Sequence, residues 1–222
     1  MKSLLILSVS LIVIIAPFYS HGQRILKDMN GKQLLETKYV DIKGSPFFDD
    51  SYIKGVATLQ NKQTYYNVFL RYDQVQDIVF FKNDINEQNA MTFASPPVEF
   101  KIPIGGDTAV FAKLETGNSK NDGFYQILHN GNTTLLKKTK KTLVTKSTYG
   151  TGGEEKNVVT AVNYFLITEQ GKFIPIKAET KSILKSLGDK QEFVEKFISS
   201  GIVDLNKDKG LASVIAYFDS LK

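Results

Sequence analysis

A chain of 222 residues with no cysteine, no tryptophan and only two histidines, His21 and His129, lacks the raw material for several large classes of chemistry. Thiol catalysis and a disulfide framework are excluded, and most zinc sites are without their ligands. The 28 Lys and Arg against 23 Asp and Glu leave a formal net charge of +5, a modest excess that suits solubility or contact with an anionic surface.

The chain opens with Lys2 and an apolar run from Leu4 to Ile15, followed by Pro17 and by small residues at Ser20 and Gly22. A charged start, a short apolar middle and a small-residue cleavage site predict a signal peptide over residues 1–22 and a mature start at Gln23. Pro17 and His21 interrupt the run before it reaches the ~20 apolar residues that a membrane anchor needs. The expectation is an exported protein, periplasmic or secreted, with no membrane span after cleavage. Without cysteine there is also no thiol for a lipid anchor.

Residues 23–177 predict an antiparallel β domain. "TKYVDIKG" alternates well enough for a first strand, and "GSPFFDD", Gly44 to Asp50, reads as a turn. "VATLQ", "TYYNVFLRY" and "DIVFF" are β-rich runs joined by short polar links. Strict alternation places Tyr66, Val68, Leu70 and Tyr72 on one face and Tyr65, Asn67, Phe69 and Arg71 on the other. Downstream, "VEFKIPI", "TAVFAKLE", "GFYQILH", "TTLLKKTKKTLVTK" and "VVTAVNYFLIT" continue the pattern. Asn130-Gly131 predicts a two-residue hairpin turn with positive φ at both centres, and "TEQGKF" around Gly171 predicts another hairpin. The glycine-rich "STYGTGGEEKN", Ser147 to Asn157, reads as a loop, since it does not lead from a strand into a helix as a phosphate-binding loop would.

The period changes near Ala178, so residues 178–222 predict two to three short helices packed on the sheet. Ile183, Leu184 and Leu187 suit a first helix. Asp189 with Glu192 forms a capping box for a second, which would bury Phe193, Val194, Phe197 and Ile198 and stop at Gly201. Leu211, Val214, Ile215, Phe218 and Leu221 mark a third from about Lys207, with Asn206 as its N-cap. The fold class is mainly β (α+β): an antiparallel curved sheet, sandwich or partial barrel, with a C-terminal helical segment.

No motif points to a catalytic residue, a metal site or a cofactor. His129 beside the Asn130-Gly131 turn reads as an exposed hairpin residue. "DLNKDKG" spaces Asp204, Asn206 and Asp208 like a calcium loop but has Lys209 and Ile215 where that loop needs Gly and Glu. Lysines 137, 138, 140 and 141 split between two strand faces, which suits a solvated edge and argues against nucleic acid. The candidate binding residues are Tyr65, Phe69 and Arg71 on the second face of their strand, with Lys138 and Lys140.

"GSPFF" followed by "KGVATLQNKQTYYNVFLRYD", the "TLLKKTKK" strand and the closing "SLGDKQEFVEKFISSG" and "GLASVIAYFDSL" resemble a group of uncharacterised exported proteins of Bacteroidetes-type bacteria. The resemblance implies an envelope location and carries no activity. The functional expectation is a non-enzymatic envelope protein that binds an apolar or anionic envelope ligand or another envelope protein. A carrier version expects an apolar cavity, and an assembly version expects pairing through an exposed strand edge. A different class, a small hydrolase acting on glycan or peptide through paired carboxylates, expects a cleft with two converging carboxyl groups and a raised pKa.

Overall fold

The computed structural model describes residues 39–117, 119, 121–147, 154–188 and 190–221. The expected signal peptide, Gln23 and the capping residue Asp189 lie outside the described residues. Among the described residues eleven strands precede three helices: β1 (Ile42–Lys43), β2 (Ile53–Thr58), β3 (Thr64–Asp73), β4 (Ile78–Lys82), β5 (Met91–Thr92), β6 (Glu99–Ile104), β7 (Asp107–Leu114), β8 (Gly123–Asn130), β9 (Thr134–Ser147), β10 (Glu154–Ile167), β11 (Phe173–Ile176), α1 (Thr180–Leu187), α2 (Gln191–Ser199) and α3 (Asp208–Ser220). All strands join one curved sheet in the order β1-β10-β9-β8-β7-β6-β2-β3-β4-β5, with β11 also on β10. Every pairing is antiparallel except β1 with β10, as the hairpin signals predict.

The sheet has an inner face that carries most of the apolar side chains. Over β2 to β8 it curls around its own aromatics: Tyr72 near the end of β3 lies 5.3, 5.2 and 5.6 Å from Phe100, Phe111 and Phe124 of β6, β7 and β8. Edge-to-face contacts at these spacings add to the area that burial removes from water. The curl is held by the β3–β4 turn, where Gln74 accepts the Lys141 N–H of β9 at 3.1 Å and Asp77 accepts the Phe124 N–H of β8 at 3.2 Å. Over β8 to β11 the helices cover the same face, packing Ile183, Val194, Leu211, Val214, Ile215 and Phe218 on Leu135 and Leu166. A smaller cluster of Tyr125, Leu136 and Phe165 fills the outer face behind them.

Several local expectations are corrected. Asn67 has a φ of 59° and is an extra residue opposite the Gly55/Val56 step, a bulge that resets the alternation of β3. Tyr65 therefore points into the core with Val68, Leu70 and Tyr72, and Tyr66 points out at 68% exposure. The β8–β9 connection is three residues, since Asn130 pairs with Thr134, and neither Asn130 nor Gly131 has a positive φ. Glu154 to Asn157 belong to β10 and not to a loop. On α2 only Val194 is buried and Phe193 is 55% exposed, because the helix meets the core along a narrow line. Asn206 does not cap α3: Lys207 holds the N-cap position, and Asn206 donates to Asp204 Oδ1.

Candidate functional site

The outer face of β2, β3 and β4 gathers the most organised exposed chemistry. Register places Lys54, Phe69 and Lys82 directly across from one another on three neighbouring strands. The Lys54 Nζ stands 5.3 Å from the Phe69 ring centre. In the next row Arg71 inserts its guanidinium between the rings of Phe47 and Tyr52, at 4.1 and 4.2 Å, and donates to the Asp50 carbonyl at 3.3 Å. Lys82 covers Tyr52 at 4.6 Å. A ring face attracts a cation electrostatically, so each aromatic fixes an ammonium or guanidinium that would otherwise move freely. Among the described residues no carboxylate lies within ion-pair distance of Lys54 or Lys82. Tyr66 extends the same surface.

The structure thus brings Phe69 and Arg71 together, as the sequence reading expected, and removes Tyr65 to the core. Tyr52, Lys54 and Lys82 were missed, because they join the site only through strand register and through the loop that precedes β2. Lys138 and Lys140 lie elsewhere. Lys138 Nζ donates to the carbonyls of Asn121 and Asp122 at 2.7 and 2.5 Å and covers the Tyr125 ring at 4.7 Å. Burial pulls its pKa below the ordinary lysine value, against the pull of Asp77 and Asp122. It braces the β7–β8 loop, whereas Lys140 is exposed. The rest of the lysine run is also occupied: Lys137 pairs with Asp208 at 2.6 Å, and Lys141 donates to the Phe47 carbonyl.

The buried carboxylate of Asp73 is fully engaged. Its Oδ1 accepts the N–H groups of Val75 and Gln76 at 2.8 and 2.9 Å, and its Oδ2 accepts the Tyr39 hydroxyl and the Gln76 amide at 2.5 and 2.8 Å. Asp77 accepts the Tyr72 hydroxyl at 2.5 Å. These bonds lock the β3–β4 turn against β8.

Among the described residues every carboxyl group whose pKa departs from its ordinary value departs downward. Asp107 is lowered by the Thr108 N–H and by Lys209, Glu155 by Lys43, and Asp204 by the Asn206 N–H. Burial raises Asp219, but the Thr133 N–H and His129 outweigh it. A cleft of about 230 Å³ between the β6–β7 turn, β8 and α3 is lined by Asp107 and Asp208. Asp107 faces Lys209 at 3.5 Å, and Asp208 is held by Lys137 and by the Tyr164 hydroxyl at 2.9 Å. Each carboxylate is engaged by partners of its own, and Asp107, held below its ordinary value, is the reverse of a general acid kept protonated.

His129 is not an exposed hairpin residue. Its Nε2 lies 3.0 Å from Asp219 Oδ2 of α3, which also accepts the Thr133 N–H at 3.0 Å. Gly131 makes this possible, since a Cβ there would sit 2.3 Å from the same oxygen. No serine or threonine hydroxyl bonds to the imidazole among the described residues, so the pair serves as a clasp between α3 and the β8–β9 hairpin. Among the described residues no cluster of His, Asp and Glu could hold a metal, and no helix is long and apolar enough to cross a membrane. No protein-family model, curated protein or solved structure matches this chain.

Proposed function

We propose that this chain is an exported, non-enzymatic binding protein of the cell envelope that holds an anionic ligand on the outer face of β2, β3 and β4. The observation that carries the reading is the row Lys54–Phe69–Lys82, two cations that flank a ring on neighbouring strands and have no carboxylate partner among the described residues. Lysines on alternate strands stand roughly 10 Å apart at their Cα atoms, so both ammonium groups reach a phosphate, sulfate or carboxylate seated over Phe69. Exposed Tyr66 and ring-bound Arg71 extend the surface along β3 and suit the apolar faces of sugar rings. The inner face supports an apolar ligand less well, because its core side chains, from Ala57 to Phe124, are 0 to 9% exposed and fill the curl themselves.

The test is titration of the whole chain with dextran sulfate, neutral dextran and phosphatidylglycerol vesicles. Binding to dextran sulfate or to the vesicles should weaken with salt and fall roughly tenfold or more in Lys54→Ala/Lys82→Ala, at the ~1.5 kcal/mol that a charge-assisted contact contributes. Dextran sulfate alone as the winning probe marks a glycan ligand, and the vesicles mark a lipid headgroup. Equal binding of neutral dextran, or binding indifferent to the double substitution, would sink the proposal.

A further inference from the structure

Among the described residues the outer edge of β10 is covered only near its ends. β1 pairs with it at Lys156 and Asn157, and β11 pairs with it from Tyr164 to Ile167. Gly44, at a φ of +89°, turns the chain away from the edge beside Val158, where a Cβ on Gly44 would lie 3.3 Å from the valine Cβ. Among the described residues no strand pairs with the edge between these two, and Val159 to Asn163 are all exposed. The open stretch, Val158 to Asn163, is about 20 Å long at ~3.3 Å per residue. Its sequence "VVTAVN" has no lysine, proline or other charge. Those are the devices that blunt a sheet edge against pairing, and their absence leaves a row of backbone donors and acceptors with strong β formers.

We propose that this gap is a docking slot for a short, extended, acidic segment of a partner protein, which adds to β10 as a strand between β1 and β11. A second copy of this chain does not fit through the same edge. Two β10 edges paired antiparallel about the gap would bring one copy's Tyr164–Ile167 onto the place held by the other copy's β1, and β10 is continuous through both regions. Only a segment that enters and leaves the sheet within about six residues is accommodated.

Charge selects an acidic occupant. The β9–β10 hairpin carries six lysines against Glu154 and Glu155; Lys137, Lys138 and Lys141 are held by Asp208 and by backbone carbonyls, which leaves Lys140, Lys146 and Lys156 exposed to meet an anionic partner. Lys140 sits opposite Ala161 and is exposed, and Lys156 is exposed at the β1 end of the slot. A carboxylate on a strand docked at Ala161 would be roughly 10 Å from the Lys140 Cα, within reach of the extended side chain. Backbone pairing supplies affinity in such an arrangement, and the flanking charges supply selectivity.

The experiment uses the full chain and a capped synthetic peptide of about eight residues that alternates Val or Thr with Glu, compared with one carrying Lys in place of Glu and one carrying a central Pro. Fluorescence anisotropy gives affinity, and amide hydrogen exchange by NMR gives the location. Expected are binding of the acidic peptide alone, new protection at those amides of Val158–Asn163 that point away from β9, and a roughly tenfold or greater loss in Val159→Glu/Val162→Glu, both exposed positions whose new carboxylates would repel the acidic strand. Lys140→Glu should weaken the acidic peptide and leave the unbound exchange pattern unchanged. The proposal is overturned if the proline peptide binds equally, if no peptide binds, or if the amides that point away from β9 are already protected in the free chain, which would place the chain's own residues or a second copy in the slot.

Discussion

Replacing Gly131 by Ala tests the clasp between α3 and the β8–β9 hairpin. The new Cβ would stand 2.3 Å from Asp219 Oδ2 and 2.7 Å from His129 Nε2, where a relaxed contact needs about 3.5 Å. The carboxylate must retreat by about 1 Å, which stretches its two 3.0 Å bonds, to the Thr133 N–H and to His129, beyond hydrogen-bonding range. It has little room to do so, because its side chain is 11% exposed and Oδ1 is buried without a hydrogen-bond partner. Bonds to an ionised group contribute about 1.5–3 kcal/mol each, and alanine recovers ~0.5 kcal/mol by restricting the unfolded chain. Steric relaxation makes part of the loss recoverable, so a destabilisation of about 2–4 kcal/mol is expected.

Urea unfolding at pH 7, followed by circular dichroism, measures this, and a double-mutant cycle isolates the cause. Asp219→Ala loses the same two bonds, removes the carboxylate clash and leaves the imidazole, no longer tethered, room to turn from the new methyl, so adding Gly131→Ala to it should cost about 0.5 kcal/mol or less. Additive costs, or a harmless Gly131→Ala in the wild-type background, would refute the clasp. The pH dependence has a defined sign. The folded pKa of Asp219 lies below its ordinary value, so its contribution is present above the unfolded carboxyl pKa of about 3.9. That contribution disappears as the pH falls through the folded value, and the penalty of Asp219→Ala should shrink only under strongly acid conditions.

Two further outcomes follow from the fold. Phe111 is 2% exposed and stacks on Phe100 at 4.6 Å, so Phe111→Ala should cost about 3–5 kcal/mol in the same assay, whereas Phe193→Ala, at 55% exposure, should change stability by no more than ~0.5 kcal/mol. Tyr125 and Tyr164 have phenol pKa values pushed up to about 12, chiefly by burial, with Asp122 and Asp208 adding to it. A raised folded pKa gives stability that is whole below the unfolded value of about 10 and is lost as the pH rises toward 12. Absorbance at the phenolate band should show these two tyrosines ionising late, together with alkaline unfolding; Tyr125→Phe and Tyr164→Phe should each remove one late phenol.

The strand pattern was legible because side-chain direction alternates with a fixed period, and the helices because theirs does not. One residue defeated the first rule. Asn67 inserts a bulge in β3, and every face assignment before it inverts, so Tyr65 and Tyr66 exchange places. Asn tolerates the left-handed backbone that such a bulge uses, so an asparagine inside an aromatic strand was the available signal. Gly131 misled for a related reason. Asn-Gly between apolar runs signals a tight hairpin, yet this glycine is required by the approach of a carboxylate from α3, 88 residues further along the chain. A sequence shows which residues permit unusual geometry and does not show which of several demands they meet.

The lysines show the same limit from the side of function. Alternation correctly divides Lys137 and Lys141 from Lys138 and Lys140, but direction does not decide role. Lys138 points to the outer face and is consumed by two carbonyls of the β7–β8 loop, while Lys54 and Lys82 point to the outer face and rest on aromatic rings, with no carboxylate partner among the described residues. An ammonium held by fixed carbonyls has already exchanged its water for protein and gains little from a further anion. One that rests on a ring keeps most of its hydration and its charge available. The partner that each lysine meets in the fold therefore sorts the binding candidates, which moves the site from the densest run of positive charge to a sparser row across β2, β3 and β4.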